Sequence, residues 1–310
     1  MITEILKTYP FIVLDGAFST ELERQGFSIN DDLWSAIALY KNPDMVKAVH
    51  LSYYRAGSDI VTSASYQATL QGFEKKGFTR DEGKKLLRKS VELVQEARDE
   101  YLSSAPEEKR PAPLVAASIG PYGAYLADGS EYKGHYGKTR EELADFHRER
   151  MQVLAEAGPD LFACETIPSL VEALAEADVL SEIPGASGWI SFSCKDEFHT
   201  CGDDLIGDCA EALDEFPQVK AIGVNCTASE YVESLIREIR KHTDKPVVVY
   251  PNSGEHYDAG SKTWNGASAE YADYVRTWYA AGARLIGGCC RTTPADIRKV
   301  AEYRKELLEL

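Results

Sequence analysis

The sequence predicts an α/β protein, a (β/α)8 TIM barrel, because eight apolar runs of strand length alternate with amphipathic segments of helix length along 310 residues. The runs are hydrophobic almost throughout, as expected for parallel strands that are covered on both faces of the sheet. They begin at Phe11, Asp59, Pro113, Pro159, Ser187, Val219, Lys245 and Ala283. No linker or low-complexity tract interrupts the pattern, so we expect residues 1–310 to form a single domain.

Helix starts and helix ends are both marked in the sequence. A hydroxyl and a carboxylate three residues apart can satisfy the free donors of a first helical turn, and this pattern predicts helix starts at Thr79, Thr139 and Ser169. Three helices are expected to end on an Ala-Gly pair, because glycine takes the left-handed conformation without a steric penalty. The three pairs are Ala56-Gly57, Ala157-Gly158 and Ala281-Gly282.

Composition limits the partners and the compartment. The formal net charge of −16 argues against nucleic acid as a partner and favours small cationic molecules. Seven cysteines, an odd number without a disulfide-scaffold composition, favour a reducing compartment in which thiols stay free or bind metal. The N-terminus has no basic leader, and the apolar run 11–14 is too short for a membrane span. We therefore expect a cytoplasmic protein without a membrane partner.

The carboxyl ends of the strands form the active face of such a barrel, and acids and thiols are concentrated there. Strands four, six and eight are alternate strands, so Glu165, Cys226 and the cysteine pair at 289–290 are predicted to face a common cavity. Taken alone, Asp15 is also explained as a turn residue, and Glu165 as an acceptor for a loop amide. The strand-end segments are 15–19, 63–66, 164–166, 225–226 and 289–290.

Three of these cysteines resemble a thiolate metal site with an open position. Zinc with three protein ligands leaves a fourth position for water or substrate, whereas a structural site is closed by four. Adjacent strand residues point to opposite faces, so Cys289 and Cys290 can both join Cys226 only if the strand ends between them. Gly287 and Gly288 allow such a turn. An open thiolate zinc is suited to activating a sulfur nucleophile.

The cysteines also have simpler explanations. A cysteine that ends an apolar strand is commonly a small buried hydrophobe, and Cys164 is assigned to that class. A vicinal disulfide between Cys289 and Cys290 is an alternative, although it leaves Cys226 unexplained. A second set of cysteine and histidine residues is an alternative metal site, but the sequence gaps between its members are long and unequal and match no common zinc spacing. Its members are Cys194, His199, Cys201 and Cys209.

Three motifs make the chain resemble the homocysteine S-methyltransferase family, and the resemblance covers nearly the whole chain. Longer segments resemble the branch of this family that uses S-methylmethionine as methyl donor. The resemblance implies a homocysteine-binding barrel and one Zn2+ ion held by Cys226, Cys289 and Cys290. The three motifs are Asp15-Gly16-Ala17, Gly223-Val224-Asn225-Cys226 and Gly287-Gly288-Cys289-Cys290, and the longer segments are 63–69, 118–132 and 250–258.

The reaction that the resemblance implies is transfer of a methyl group from S-methyl-L-methionine to the thiolate of L-homocysteine, giving methionine. Betaine, S-adenosylmethionine and selenocysteine are alternative substrates within the family. A free thiol with a pKa of about 8.5 is only a few per cent ionised at neutral pH, whereas a thiol on zinc is deprotonated. A sulfonium leaves as a neutral thioether, so no proton donor is needed. We therefore expect no catalytic residue separate from the metal site, and no cobalamin, pterin or redox cofactor.

The resemblance also implies how homocysteine is bound. Asp15 and Glu165 are assigned to its ammonium group, and the amides around Phe18 and Ser19 to its carboxylate. Charge supports this assignment, because paired acids can fix an ammonium group while backbone donors bind a carboxylate.

On the donor side, Trp34 and Tyr66 are the candidates, because an aromatic face attracts a sulfonium as it attracts other cations. Either ring is equally well explained by packing. Two loops, 120–137 and 252–264, are long enough to act as lids or to be surface decoration.

Two other functions stay open at this stage. A zinc hydrolase on the same barrel would prefer a histidine-rich site, and no His-x-His follows the first strand. A non-catalytic zinc or thiol sensor would bind metal without forming methionine. We expect a monomer or weak oligomer, because the chain stops at Leu310, soon after the last predicted helix, without the oligomerising extension of the betaine branch.

Overall fold

The computed structural model describes residues 1–28, 34–104, 109–254, 256–258, 263–265 and 271–309. At positions 34, 35 and 272, and in 256–258 and 263–265, the description covers the backbone alone. None of the helices in these ranges has the length and apolar character that crossing a bilayer requires.

The described ranges contain ten strands, and eight of them form one parallel sheet. The two ends of this sheet, β1 and β2, meet through a parallel bridge between Leu14 and Ile60, and the Asp59 amide donates to the Val13 carbonyl over 2.7 Å. The sheet therefore closes, and the predicted (β/α)8 barrel is confirmed. Around the barrel the strands are β1 Ile12–Val13, β2 Ile60–Thr62, β3 Leu114–Ile119, β4 Leu161–Ile167, β5 Gly188–Phe192, β6 Val219–Asn225, β7 Val247–Tyr250 and β10 Ala283–Ile286; β8 His256–Asp258 and β9 Thr263–Asn265 form a separate antiparallel pair.

Each predicted strand begins within two residues of its expected start. Helices cover the outer face of the barrel and pack on an apolar layer between them and the strands. The α-helices are α1 Ile2–Ile5, α2 Phe18–Arg24, α3 Ala38–Lys41, α4 Pro43–Ala56, α5 Leu70–Lys75, α6 Arg80–Ser103, α7 Tyr122–Leu126, α8 Arg140–Glu156, α9 Leu170–Glu182, α10 Ile206–Asp214, α11 Val232–Ile239, α12 Tyr271–Ala281 and α13 Pro294–Glu309. Short 3-10 helices span Trp34–Ile37, Ser130–Tyr132 and Ser229–Tyr231.

The barrel interior is filled by its own apolar cluster, which includes Leu161, Trp189 and Leu285. Ile2 from α1 joins this cluster with 1% of its surface exposed, so the first helix plugs one end of the barrel. The opposite end, where the strands finish, is left for polar residues. Cys164 points outward from β4 into the layer beneath the helices, as predicted for a small buried hydrophobe.

Two of the three predicted helix caps form as expected. Thr79 with Glu82 and Thr139 with Glu142 each make both reciprocal hydrogen bonds. At Ser169 the predicted helix start is confirmed, since α9 begins at the next residue, but the predicted cap is wrong, because the Ser169 side chain makes no cap hydrogen bond. Glu172, its expected partner, turns inward instead and accepts a hydrogen bond of 2.6 Å from the Tyr122 amide. The three Ala-Gly helix ends are confirmed, with φ of +109°, +68° and +123° at Gly57, Gly158 and Gly282.

A buried ion pair joins the last helix to the first two strands. Asp59, directly before β2, pairs with Arg304 of α13 and accepts a 2.8 Å hydrogen bond from the Val13 amide. Arg110 lies 3.4 Å from the other carboxylate oxygen. The contact ties the C-terminal helix to the strand junction that closes the barrel.

Replacing Arg304 by methionine should destabilise the fold, because Asp59 would lose one of its two buried cations. Removing one partner of a buried pair costs about 3–5 kcal/mol, and we expect Arg304→Met to lower the free energy of unfolding by that order in urea titrations followed by circular dichroism. Arg298→Met, at an exposed position of the same helix, should change it by less than about 0.5 kcal/mol. Equal effects of the two changes would contradict this role for Arg304.

Candidate metal centre and substrate pocket

Three thiols meet at the open end of the barrel. Cys226 directly follows β6, and Cys289 and Cys290 follow the glycine pair after β10. The three Sγ atoms all lie within 4.8 Å of one another, and those of Cys226 and Cys290 are 3.9 Å apart. All seven cysteines of the chain are free thiols.

The glycine pair places two of these thiols, although not through the turn that the sequence suggested. β10 ends at Ile286, before both glycines, and neither glycine has a positive φ. A Cβ atom on Gly287 would lie 2.6 Å from the Asp15 carbonyl oxygen, so this glycine is required by close approach to the end of β1, whereas a Cβ atom on Gly288 would overlap the Thr292 hydroxyl oxygen. Hydrogen bonds then hold this loop, from the Gly288 amide to the Asp15 carbonyl (2.9 Å) and from the Cys289 amide to the Pro251 carbonyl (2.8 Å).

The thiol cluster fits a metal ion that prefers sulfur. Tetrahedral coordination with zinc–sulfur bonds of about 2.3 Å separates two sulfurs by about 3.8 Å, and the Cys226–Cys290 distance of 3.9 Å agrees. Hydrogen bonds from the other two thiols hold the pKa of Cys226 well below its usual range, and the same interaction raises the pKa of Cys289 and Cys290. A cation among the three sulfurs would favour ionisation of all three thiols.

Two buried acids face the same cavity, which has a volume of about 160 Å³. Asp15 accepts hydrogen bonds from the amide and the hydroxyl of Thr62, at 2.8 and 2.9 Å. Glu165 accepts one from the Ser118 hydroxyl. Burial raises the pKa of Asp15 to about 7 and that of Glu165 to about 8. In the part of the chain that the structure describes, neither carboxylate is paired with a cation.

Backbone amides line the wall of the cavity beside Asp15. Helix α2 begins at Phe18, and its N-cap residue, Ala17, has no side-chain group that could cap the first turn. The amides of Phe18 and Ser19, which border the cavity, are among the first-turn donors that a helix cannot satisfy internally. The Phe18 ring is fixed by stacking on His50, at 5.1 Å between ring centroids.

Of the two aromatic candidates, Tyr66 lines the cavity and is half-buried. Its ring packs against Gly120, where an added Cβ would lie 2.8 Å from two ring carbons. Trp34 is the first residue of a 3-10 helix, and its side chain lies outside the described part of the chain. Of the predicted lid 252–264, the description covers 252–254, 256–258 and 263–264.

Glu131 and Tyr132 are among the pocket residues that sequence reasoning missed. Both lie on the 3-10 helix Ser130–Tyr132 and border the cavity, and the Tyr132 hydroxyl lies beside the Cys226 sulfur. The 3-10 helix is held by a 3.0 Å hydrogen bond from the Ser193 hydroxyl to the Glu131 carbonyl. The one sequence signal was the long loop rich in glycine and tyrosine that contains them.

A second cluster of metal-ligand type lies between helices α8 and α9. His147, Glu172 and Glu176 are fully buried with ligand atoms within 4.8 Å of one another. Arg150 stands among them, with a guanidinium nitrogen 2.7 Å from the His147 ring and attraction to both acids. Because the arginine supplies the positive charge, we assign this cluster to structure. The rival cluster of Cys194, His199, Cys201 and Cys209 does not form a ligand group among the described residues.

The fold and the pocket define a (β/α)8-barrel protein whose strand ends combine three thiols with two buried acids. Comparison with known proteins gives the family. The model of the family described as homocysteine S-methyltransferase matches residues 12–304. The chain is 52% identical over 309 residues to homocysteine S-methyltransferase YbgG of Bacillus subtilis, covering 99% of this chain and 98% of the relative.

Solved structures agree with this match. The oxidized form of the homocysteine methyltransferase MmuM from Escherichia coli superposes with a TM-score of 0.89 at 45% identity, covering 97% of this chain and 99% of that one. The metallated form gives 0.88 at 44% identity, covering 97% and 98%. The chain belongs to the homocysteine S-methyltransferase family.

The buried Glu165 carboxyl makes the stability of the metal-free protein depend on pH. Its pKa is about 8 in the folded state, against 4.5 for an ordinary glutamate. Between these values the folded state binds more protons than the unfolded state, so stability falls as pH rises. Glu165→Gln removes this titration. We expect the free energy of unfolding of the variant, relative to wild type, to increase from about pH 5 to about pH 8, by at most about 1.4 kcal/mol per pH unit.

The measurement is urea unfolding of chelator-treated protein across this pH range. Glu92→Gln, at an exposed position on α6, serves as the control and should follow the pH dependence of the wild type. A Glu165→Gln curve that runs parallel to the wild-type curve would show that the carboxyl is not held protonated by burial.

Proposed function

We propose that the protein transfers a methyl group from S-methyl-L-methionine to the thiol of L-homocysteine, giving two molecules of methionine. The observation that carries the proposal is the convergence on one cavity of three thiols, two acids that have no cationic partner among the described residues, and uncapped helix amides. Membership of the homocysteine S-methyltransferase family supports the same reaction. The proposal includes residues 1–310 as a single domain that acts in the cytoplasm as a monomer or weak oligomer.

Zinc is the proposed metal, with Cys226, Cys289 and Cys290 as its protein ligands. The all-sulfur donor set and the spacing of the sulfurs support this choice, because thiolates select zinc over harder divalent ions. When bound, zinc would supply the positive charge that keeps a substrate thiol ionised at neutral pH.

Homocysteine is the proposed acceptor, and its amino-acid end has matching groups in the pocket. Its ammonium group would lie between Asp15 and Glu165, both of which lack a cation in the described structure. Its carboxylate would accept hydrogen bonds from the Phe18 and Ser19 amides. With both ends of the amino acid fixed, the side-chain thiol is directed toward the three cysteines. These contacts therefore orient the nucleophile.

On the donor side we propose that the Tyr66 ring attracts the sulfonium group, with Trp34 as the second aromatic candidate. The face of an aromatic ring stabilises a desolvated cation by about 2 kcal/mol. The homocysteine sulfur forms the new carbon–sulfur bond as the donor's bond to the same methyl group breaks. The bonding electrons remain on the donor sulfur, which leaves as a neutral thioether, so no side chain has to move a proton at that atom.

The test of the reaction is a methyl-tracing assay with purified protein. S-methylmethionine that carries deuterium in both S-methyl groups is mixed with homocysteine whose carbon skeleton is labelled with carbon-13, so that mass spectrometry distinguishes the methionine formed from each precursor. The proposal predicts equal amounts of methionine from the two precursors, each with one labelled methyl group. Competition with S-adenosylmethionine and betaine then ranks the donors. If the metal-loaded protein binds homocysteine but forms no methionine, the result would contradict the proposal and favour a non-catalytic zinc or thiol sensor.

Loss of any one thiol should remove metal and activity together, because two sulfurs hold zinc far more weakly than three. For Cys226→Ser we expect metal content, measured by atomic emission, to fall well below about one ion per chain, with methionine formation at background. The control is Cys201→Ser, which changes a half-buried cysteine outside the cluster and should keep its metal. Wild-type turnover by a Cys226→Ser protein shown to be metal-free would exclude the zinc assignment.

Glu165→Gln should weaken homocysteine binding, because the ammonium group would lose one of its two charged partners. A hydrogen bond to a charged group contributes about 1.5–3 kcal/mol, so the KM for homocysteine should rise about tenfold or more. Steady-state kinetics should show the donor KM nearly unchanged, and atomic emission should show the same metal content as in the wild type. An unchanged homocysteine KM would refute this contact.

A further inference from the structure

One acid of the pocket has no role in the reaction described so far. Glu131 borders the cavity from the 3-10 helix Ser130–Tyr132, and its exposed fraction is 5%. Its Oε2 atom is fully buried and accepts no hydrogen bond from any described residue. The carboxylate also forms no ion pair within the described ranges. The backbone amide of Glu131 interacts with the carboxylate, but a buried carboxylate with an unbonded oxygen and no cation is costly unless a ligand supplies the missing partner.

Asp59, Glu172 and Glu176 also have a buried carboxylate oxygen without a hydrogen-bond partner, but they differ from Glu131 in having arginine nearby. Asp59 is paired with two arginines, and Glu172 and Glu176 lie beside Arg150. Asp15 and Glu165 have no cation, but in the proposed function they share the ammonium group of homocysteine. Among the buried acids that border the cavity in the described part of the chain, Glu131 is therefore the one that neither the protein nor the acceptor substrate accounts for.

The position of Glu131 points to the methyl donor. Its neighbour Tyr132 lies beside the Cys226 sulfur, and Glu131 is close enough to both Cys226 and Tyr66 to interact with them electrostatically. Tyr66 is the aromatic candidate for the donor sulfonium. Glu131, Tyr66 and the thiol cluster all border the one cavity in which a donor would meet the acceptor sulfur.

Charge counting also leaves one partner for Glu131. The two substrates bring three positive groups, which are the ammonium of homocysteine and the ammonium and sulfonium of the donor. Asp15 and Glu165 account for the first, and Tyr66 for the sulfonium. The remaining positive group is the ammonium of the donor.

We propose that Glu131 is a specificity-determining residue that binds the α-ammonium group of the methyl donor. This inference rests on the proposed function and deepens it. An ammonium group has three N–H donors for the carboxylate, whereas a sulfonium has none. The ammonium charge is also constant during the reaction, while the sulfonium charge disappears. A carboxylate on the ammonium therefore strengthens donor binding without opposing methyl transfer.

The test is the isosteric change Glu131→Gln, studied by steady-state kinetics with S-methylmethionine and homocysteine. A charge-assisted contact contributes about 1.5–3 kcal/mol, which corresponds to about 10- to 150-fold. We expect the KM for S-methylmethionine to rise by at least about tenfold, while kcat, the KM for homocysteine and the metal content stay within about twofold of wild type. Glu92→Gln, which removes an exposed acid of α6 outside the cavity lining, controls for the general loss of negative charge and should leave the donor KM within about twofold.

A second measurement separates the ammonium from the sulfonium. The desamino analogue of S-methylmethionine keeps the sulfonium and the carboxylate, and its inhibition constant against S-methylmethionine is measured for both proteins. If Glu131 binds the ammonium, the inhibition constant should be the same for wild type and Glu131→Gln. The assignment would be overturned if Glu131→Gln weakened binding of the analogue as much as binding of the donor. The carboxylate would then interact with the sulfonium or stabilise the conformation of its own loop.

Two further results would overturn the inference. They are an unchanged donor KM in Glu131→Gln and a homocysteine KM that rises as much as the donor KM. A wild-type protein that forms no methionine is a different result, because it refutes the proposed function itself. The wild-type assay therefore separates failure of the function from failure of the Glu131 assignment.

Discussion

The site depends on one constraint, which is that three sulfurs from two separate strand ends are held within 4.8 Å of one another. Cys226 is placed by β6, and the cysteine pair by a loop that packs on the end of β1 through Gly287. The contact between this loop and β1 also places Asp15, whose carbonyl accepts the Gly288 amide. The thiols and the first acid of the pocket are thus positioned by the same piece of backbone. A change in that packing would disturb metal binding and substrate binding together.

Electrostatics explains why such a pocket suits cationic substrates. Burial raises the pKa of Asp15, Glu165 and Glu131 to about 7, 8 and 7, since none of these carboxyls has a cationic partner among the described residues. A bound ammonium group would favour the ionised form of each acid. The overall charge of −16 acts in the same direction over longer distances. Ionisation of these buried carboxyls is therefore unfavourable in the empty pocket, and bound cationic substrates would stabilise their ionised form.

Features that depend on local sequence were predictable. Strand starts follow from apolar runs, and Ala-Gly helix ends follow from the conformation that glycine permits at Gly57, Gly158 and Gly282. Features that depend on contacts distant in sequence were not. Glu172 does not form the expected cap, because its carboxylate accepts a hydrogen bond from the Tyr122 amide of another helix.

The same distinction applies to the site. The thiol cluster could be predicted because barrel topology brings strand ends together, whereas Glu131 reaches the cavity through the packing of a loop against Ser193.

X-ray absorption at the zinc edge of the purified protein tests the central claim most directly. The account predicts three protein sulfur neighbours at about 2.3 Å, with one lost when Cys226 is replaced. A first shell of nitrogen and oxygen, or a spectrum unaffected by that replacement, would contradict it.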